Sequence, residues 1–106
     1  MSIFEMPMPL RWADLDPNFH VMHSKYYEYG AACRMKFLMD NGLTTGWMQK
    51  HSLGPILLRE ECLFKRELTL KDEIIIDLKA ISVSENFSRW TLQHHIYKAN
   101  RALAAV

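Results

Sequence analysis

The sequence predicts an α+β domain: one long helix packed against an antiparallel sheet that wraps around it. Three observations carry this expectation. A stretch over residues 24–41 places apolar side chains three and four apart, the spacing of one helix face. Everything after Pro55 reads as β, and from Glu73 to Val83 the side chains alternate between two faces with a period of two. Helix and strands are also segregated along the chain instead of alternating, which argues against a parallel α/β sheet.

Each element follows in order. Ile3 to Ala13 predicts a first strand, tolerating Pro7 and Pro9 only near its start or along an edge. Asp14 to His23 predicts a loop, because Asp16-Pro17 and Asn18 are turn formers. Ser24 is positioned to cap a helix that runs to about Asn41, with Gly42 where a glycine closes a helix. On that helix Tyr26, Tyr29 or Gly30, Cys33 and Phe37 share a face, and Gly30, Ala31, Ala32 and Cys33 are small enough for a sheet to approach closely. Thr44 or Thr45 can cap a short second helix ending near His51, before Gly54-Pro55.

The remainder predicts a meander. Ile56 to Leu68 forms one long strand, and Lys71-Asp72 turns into Glu73 to Val83, where Ile74, Ile76, Leu78 and Ala80 share a face. After a turn at Ser84 to Asn86, Phe87 to Lys98 places Trp90, Leu92, His94 and Ile96 on one side. Ala99 to Arg101 turns into a final strand, Ala102 to Val106.

Composition narrows the classes of function. With 106 residues and no repeat, low-complexity run or linker, residues 1–106 are expected to be a single domain. A net charge of +1 gives no electrostatic case for nucleic acid or an anionic membrane, and no apolar run is long enough to span a bilayer. The first eleven residues lack the pattern of a signal peptide. Cys33 and Cys62 show no metal or disulfide spacing, so two free thiols and a cytoplasmic location are expected.

Chemistry concentrates between Arg11 and Tyr27 (RWADLDPNFHVMHSKYY). Two acids follow the first strand, and two histidines precede the helix. A helix N-terminus offers unpaired N–H groups and roughly half a positive charge, which can polarise a carbonyl oxygen while a carboxylate acts on its carbon. The stretch therefore reads as an acyl-transfer site. On the residues alone, Asp14 and Asp16 serve equally well as turn formers that favour the helix dipole. His94-His95 does not make a metal site, because neighbours on a strand point to opposite faces; His20 and His23 lack a third ligand at a suitable spacing. The chain has neither a Gly-x-Ser-x-Gly elbow nor a glycine-rich phosphate loop.

First strand, Asp14-Leu15-Asp16-Pro17, the His20-Val21 turn, the Tyr-rich helix with Arg34 and the meander together resemble the hotdog-fold acyl-CoA thioesterases, in particular the 4-hydroxybenzoyl-CoA branch. The resemblance covers essentially the whole chain, although the family continues through a further strand that is missing here. It implies that Asp16 is the catalytic carboxylate, as nucleophile or as general base, and that His23 matches a polar position occupied by a catalytic histidine in some members. Backbone N–H groups around Met22 to Ser24 would bind the developing oxyanion. Phe19 stands where many members have glycine and would narrow the acyl entrance. Trp12 stands where some have a functional tyrosine and has no phenolic proton to give. Tyr26 and Tyr27 would line the acyl channel, although aromatic residues at helical spacing more often belong to a core. Arg59, Lys65, Arg66 and Arg89 are the candidate basic rim for coenzyme A phosphates. Asp14 and His20 read as structural, and Glu28 as a solvated or interface acid. No cofactor is implied.

The expected partner is an acyl-CoA substrate, and the expected assembly a homodimer or tetramer, since the family shares its site between protomers. Partly apolar outer sheet positions (Ile75, Ile81, Leu57 or Leu58) agree with self-association. Two further readings stand beside hydrolysis: a silent hotdog module that binds acyl groups or acyl carrier protein, and a hotdog dehydratase or hydratase.

Overall fold

The first helix, α1, spans His23–Asp40 and lays its apolar stripe on the sheet. The computed structural model describes residues 3–51, 57–85 and 89–106. Tyr26, Tyr29, Gly30 and Cys33 are the buried residues of α1, at the spacing that the sequence predicts. Phe37 continues the stripe and meets Phe4 edge-on at 5.7 Å between ring centres.

The helix starts earlier than expected. Its N-cap is Met22, which makes no side-chain cap, so Ser24 lies within the first turn and His23 is the first helical residue. The reason is a backbone bond: the Met22 N–H donates to the Asp14 carbonyl at 2.8 Å and sets the start without a side chain. At the other end Gly42 has φ +84°, its N–H reaches the Met39 carbonyl, and the Leu43 N–H reaches that of Leu38. This pair of bonds is the Schellman closure, which needs a residue that tolerates the left-handed region. The short α2, Thr45–Lys50, is capped by the Thr44 hydroxyl, which accepts from the Trp47 N–H at 3.2 Å.

Among the described residues five strands, all paired antiparallel, form the sheet: β1 (Phe4–Met8), β2 (Ile74–Val83), β3 (Trp90–Gln93), β4 (Ile96–Lys98) and β5 (Leu103–Ala105). Their order is β1-β2-β4-β5, with β3 paired to the far half of β2. Met6 faces Ile76 and Ile76 faces Ile96, so one register aligns the inner side chains across three strands. Leu68, Ile76, Leu78 and Cys33 are essentially inaccessible to solvent. A long central helix against a curled antiparallel sheet is the hotdog arrangement that the resemblance implies. Among the described residues no helix is long and apolar enough to cross a membrane.

Three predicted strands differ. The first stops at Met8 instead of Ala13, because Pro9 has no N–H to give to the ladder and Trp12–Asp14 then winds into a 3-10 turn. The strand expected over Phe87 to Lys98 is split at His94-His95; its first two residues lie outside the described part. There the Asp77 side chain takes the place of a backbone acceptor: Oδ1 accepts the His95 N–H at 2.6 Å, while the Asp77 carbonyl bonds the His94 ring at 2.7 Å. The strand expected over Ile56 to Leu68 is also absent over its described part, residues 57–68, where Phe64 alone bridges to Ala105. Leu63 and Val106 exchange backbone bonds of 2.8 and 3.1 Å, so this segment runs beside β5 over a few residues only.

Candidate active site

Between β1 and α1 the chain folds into a miniature hairpin. The Met22 N–H donates to the Asp14 carbonyl, the Asp16 N–H donates to the His20 carbonyl, and Leu15 bridges Val21 between them. The loop tip from Asp16 to Phe19 closes with the Phe19 N–H on the Asp16 carbonyl at 2.9 Å. Asp-Pro-Asn supplies the turn chemistry, and Phe19 completes it in the left-handed region at φ 62°, where an aromatic side chain is strained.

This turn fixes the Asp16 carboxylate. Its Oδ1 accepts the Asn18 N–H at 2.8 Å and the His20 N–H at 3.2 Å. Among the described residues, Oδ2 accepts no hydrogen bond. The hairpin then runs directly into α1. The Met22 amide, one of those expected to serve an oxyanion, is already committed to Asp14. The His23 and Ser24 amides lie in the first turn of α1, where a helix has no carbonyl to offer them.

Asp16, His20, Val21, His23 and Tyr26 form one wall of a cleft of about 330 Å³, and Phe64, Lys65, Arg66 and Glu67 form the other. The two walls are tied together: the Val21 N–H donates to the Leu68 carbonyl at 2.8 Å, and His20 bridges Thr69. The His20 ring, also in the cleft wall, lies 3.3 Å from Glu67. Phe64 is half-exposed and meets Tyr26 edge-on at 5.0 Å and His23 edge-on at 6.5 Å. Burial pushes the Tyr26 phenol up to about 12, so it stays neutral and contributes shape. A second hollow, about 290 Å³ between residues 71–73 and 98–100, already holds its own ion pair, Lys98 with Asp72 at 3.7 Å.

Of the residues singled out from sequence, the cleft gathers Asp16, His23, Tyr26, Lys65 and Arg66. Met22 and Ser24 flank it at the start of α1 through their backbones. Phe19 does not line it; it is exposed and leans on Trp12 with ring centres 6.0 Å apart. Tyr27 lies on α1 outside the cleft lining, and Glu28 pairs with Lys25 on the exposed side. Arg59 pairs with Glu61 in the open, and Arg89 flanks the β2–β3 turn, so neither stands at this cleft. Arg66 does, but Nη1 is committed to the Leu103 carbonyl at 2.6 Å.

Two residues carry more than their sequence suggests. Phe64 lines the cleft, although it sits in the apolar run Cys62-Leu63-Phe64, where nothing local sets it apart from its neighbours. Asp14 is fully buried: Oδ1 accepts from Arg11 Nη2 at 3.0 Å, and Oδ2 accepts from the Arg11 N–H and the Tyr29 hydroxyl. The expectation that Asp14 is structural agrees with this burial. Among the described residues no three metal-ligating side chains cluster.

A family model described as the thioesterase-like superfamily matches residues 10–106. No curated protein matches. A hypothetical protein from Staphylococcus aureus, solved in complex with CoA, is similar at TM-score 0.89 and 20% identity. That alignment covers 96% of this chain and 63% of the other, so the chain spans less than two thirds of that protein. A gentisyl-coenzyme A thioesterase aligns at TM-score 0.85 and 20% identity over 96% of this chain and 80% of its own. A 1,4-dihydroxy-2-naphthoyl-CoA thioesterase from Synechocystis aligns at TM-score 0.84 and 17% identity over 96% and 74%. At these identities the likeness establishes the fold.

Proposed function

Because this chain belongs to the thioesterase-like superfamily, we propose that it hydrolyses the thioester of an acyl- or aroyl-CoA, with Asp16 acting at the carbonyl carbon. One observation carries the reading: Asp16 and the first turn of α1 meet in a single cleft, joined by a hairpin only a few residues long. Two amides on Oδ1 fix the carboxylate and leave Oδ2 without a protein partner among the described residues. Either Oδ2 attacks the thioester carbon, giving a mixed anhydride that water resolves, or it removes a proton from the attacking water. In both routes the carbonyl oxygen gains negative charge and the coenzyme leaves as thiolate. The first-turn amides of His23 and Ser24 would hold that oxygen, and one such donor contributes about 3 kcal/mol to the transition state. His23, which lines the same cleft, would orient the water or protonate the leaving thiolate.

Coenzyme A as the carrier is supported by the CoA found with the Staphylococcus aureus structure and by the two CoA thioesterases of similar fold. Lys65 and Arg66 supply positive charge at the cleft rim. The working unit is a homodimer or a dimer of dimers, a reading supported by the exposure of Trp12, Phe19, Leu57 and Leu58. A monomer by size exclusion with light scattering would contradict that assembly.

A panel of acyl-CoAs assayed with a thiol-reactive dye tests the activity. Thiol release that disappears in Asp16→Ala supports the hydrolase. Acyl-CoA binding without release favours a silent binding module, and hydration of an enoyl-CoA favours a hydratase.

A further inference from the structure

The carboxylate of Asp14 is fully buried, yet it touches neither the cleft nor any group assigned to the reaction. Its contacts lie where the catalytic geometry is set. The Asp14 carbonyl accepts the Met22 N–H at 2.8 Å, at the residue that caps α1. Its Oδ2 accepts the Tyr29 hydroxyl at 2.8 Å, almost two turns further along the same helix. Its Oδ1 accepts from Arg11, on the stretch between β1 and the hairpin. Two residues on, Asp16 occupies the hairpin tip.

We infer that Asp14 is a positioning residue: it clamps α1 at the cap and at Tyr29, and so sets the distance between the Asp16 carboxylate and the first-turn amides. One contact would leave the helix free to pivot. Two contacts separated along its axis fix both its translation and its tilt against the hairpin. A buried charge held by three donors is a stiff joint, since moving any partner leaves a charge uncompensated in a low-dielectric site. Reacting groups need their alignment held within fractions of an ångström, and a 1 Å misplacement costs on the order of 100-fold in rate.

The inference rests on the thioesterase reading, and its test separates the two. Tyr29→Phe removes the hydroxyl and retains the packed ring; Asp14→Asn retains the shape and removes the charge. Ile76→Val, in the fully buried middle of β2, serves as a control that loses stability without touching the joint. Kinetics are measured well below each protein's unfolding temperature, with folding checked by circular dichroism. Tyr29→Phe is expected to lower kcat about tenfold and Asp14→Asn about 100-fold, with KM within a factor of two; Ile76→Val is expected to keep kcat. If both variants keep the wild-type kcat, or if rate merely tracks the folded fraction in all three, Asp14 is only a structural residue. Absence of turnover in the wild type overturns the thioesterase reading, and the joint is then read from NMR amide signals. Asp14→Asn is expected to shift those of Asn18, His20 and Met22 to Ser24 and leave β3 in place; shifts spread evenly over the sheet, or none, overturn the inference.

Discussion

The Tyr29 hydroxyl donates to the Asp14 carboxylate at 2.8 Å, and both residues are buried. Burial raises the cost of the Asp14 charge, but hydrogen bonds from Arg11 and Tyr29 outweigh it and hold the carboxyl below its ordinary value. Burial and this same bond push the Tyr29 phenol up, so it remains a donor across the accessible pH range. The joint between hairpin and helix is thus a neutral donor and a guanidinium on one carboxylate.

Loss of that donor has a stability cost. Tyr29→Phe is expected to destabilise the fold by about 2 kcal/mol, the range of a hydrogen bond to a charged group. Urea unfolding measures it. A change below about 0.5 kcal/mol would mean that the carboxylate finds water or Arg11 alone sufficient.

His94 predicts how stability depends on pH. Arg34 Nη1 lies 3.0 Å from Nε2 and can only donate, so Nε2 accepts and Nδ1 carries the proton towards the Asp77 carbonyl at 2.7 Å. Only the neutral ring satisfies both contacts. Burial, opposed by the bond to Asp77 and reinforced by the Arg34 charge, holds the ring below its ordinary 6.5; Asp77 and Glu60 are the nearby acids. A group depressed in the folded state contributes stability above its unfolded value and loses it as pH falls through the folded one. Denaturant midpoints should therefore fall as pH drops below 6.5, and His94→Gln should flatten that slope. An unchanged slope in the variant would assign the titration elsewhere.

Gly30 is where that ring meets α1. A Cβ there would come within 3.2 Å of both His94 Cδ2 and Arg34 Nη1. Alanine favours a helix by about 1 kcal/mol over glycine. The ring, bonded at both nitrogens, has little freedom to yield, and crowding of this kind costs roughly 1–3 kcal/mol. Gly30→Ala is expected to destabilise by about 1 kcal/mol net, measured by thermal melting. A stabilised variant would show that Arg34 and His94 step aside freely.

Phe19 at φ 62° stores strain in the loop that presents Asp16. Glycine adopts this region without penalty, and an L-residue there costs roughly 1–2 kcal/mol. Phe19→Gly should stabilise the fold by about 1 kcal/mol, less a small loss of contact with Trp12. Destabilisation in chemical unfolding would mean that the aromatic pair holds the loop more strongly than the backbone resists it.

What could be read from sequence was local. Tyr26, Tyr29, Cys33 and Phe37 mark the buried side of α1 by spacing, and Gly42 and Thr44 mark helix ends by their own chemistry. Asp16 emerged from the order strand, acid, turn, helix together with the family resemblance. Contacts between distant residues left no local trace. Alternation gives Asp77 and His95 their sides of the sheet, but not that a carboxylate replaces a carbonyl in the ladder and splits the last long strand. Residues 57–68 carry no period-two alternation, and nothing local in them shows how short the neighbouring β5 is, or that Phe64 turns towards Tyr26 and His23. Asp14 and Asp16 look alike in sequence; Tyr29, fifteen residues away, makes one of them a buried joint.

The most direct test is the turnover number of Asp16→Asn on the best acyl-CoA of the panel, with binding of that acyl-CoA measured in parallel. The account predicts a fall in kcat on the order of 1,000-fold with affinity preserved, because the amide keeps the turn but can neither attack nor accept the proton. A variant that turns over at more than about a tenth of the wild-type rate would contradict Asp16 as the group acting on the thioester.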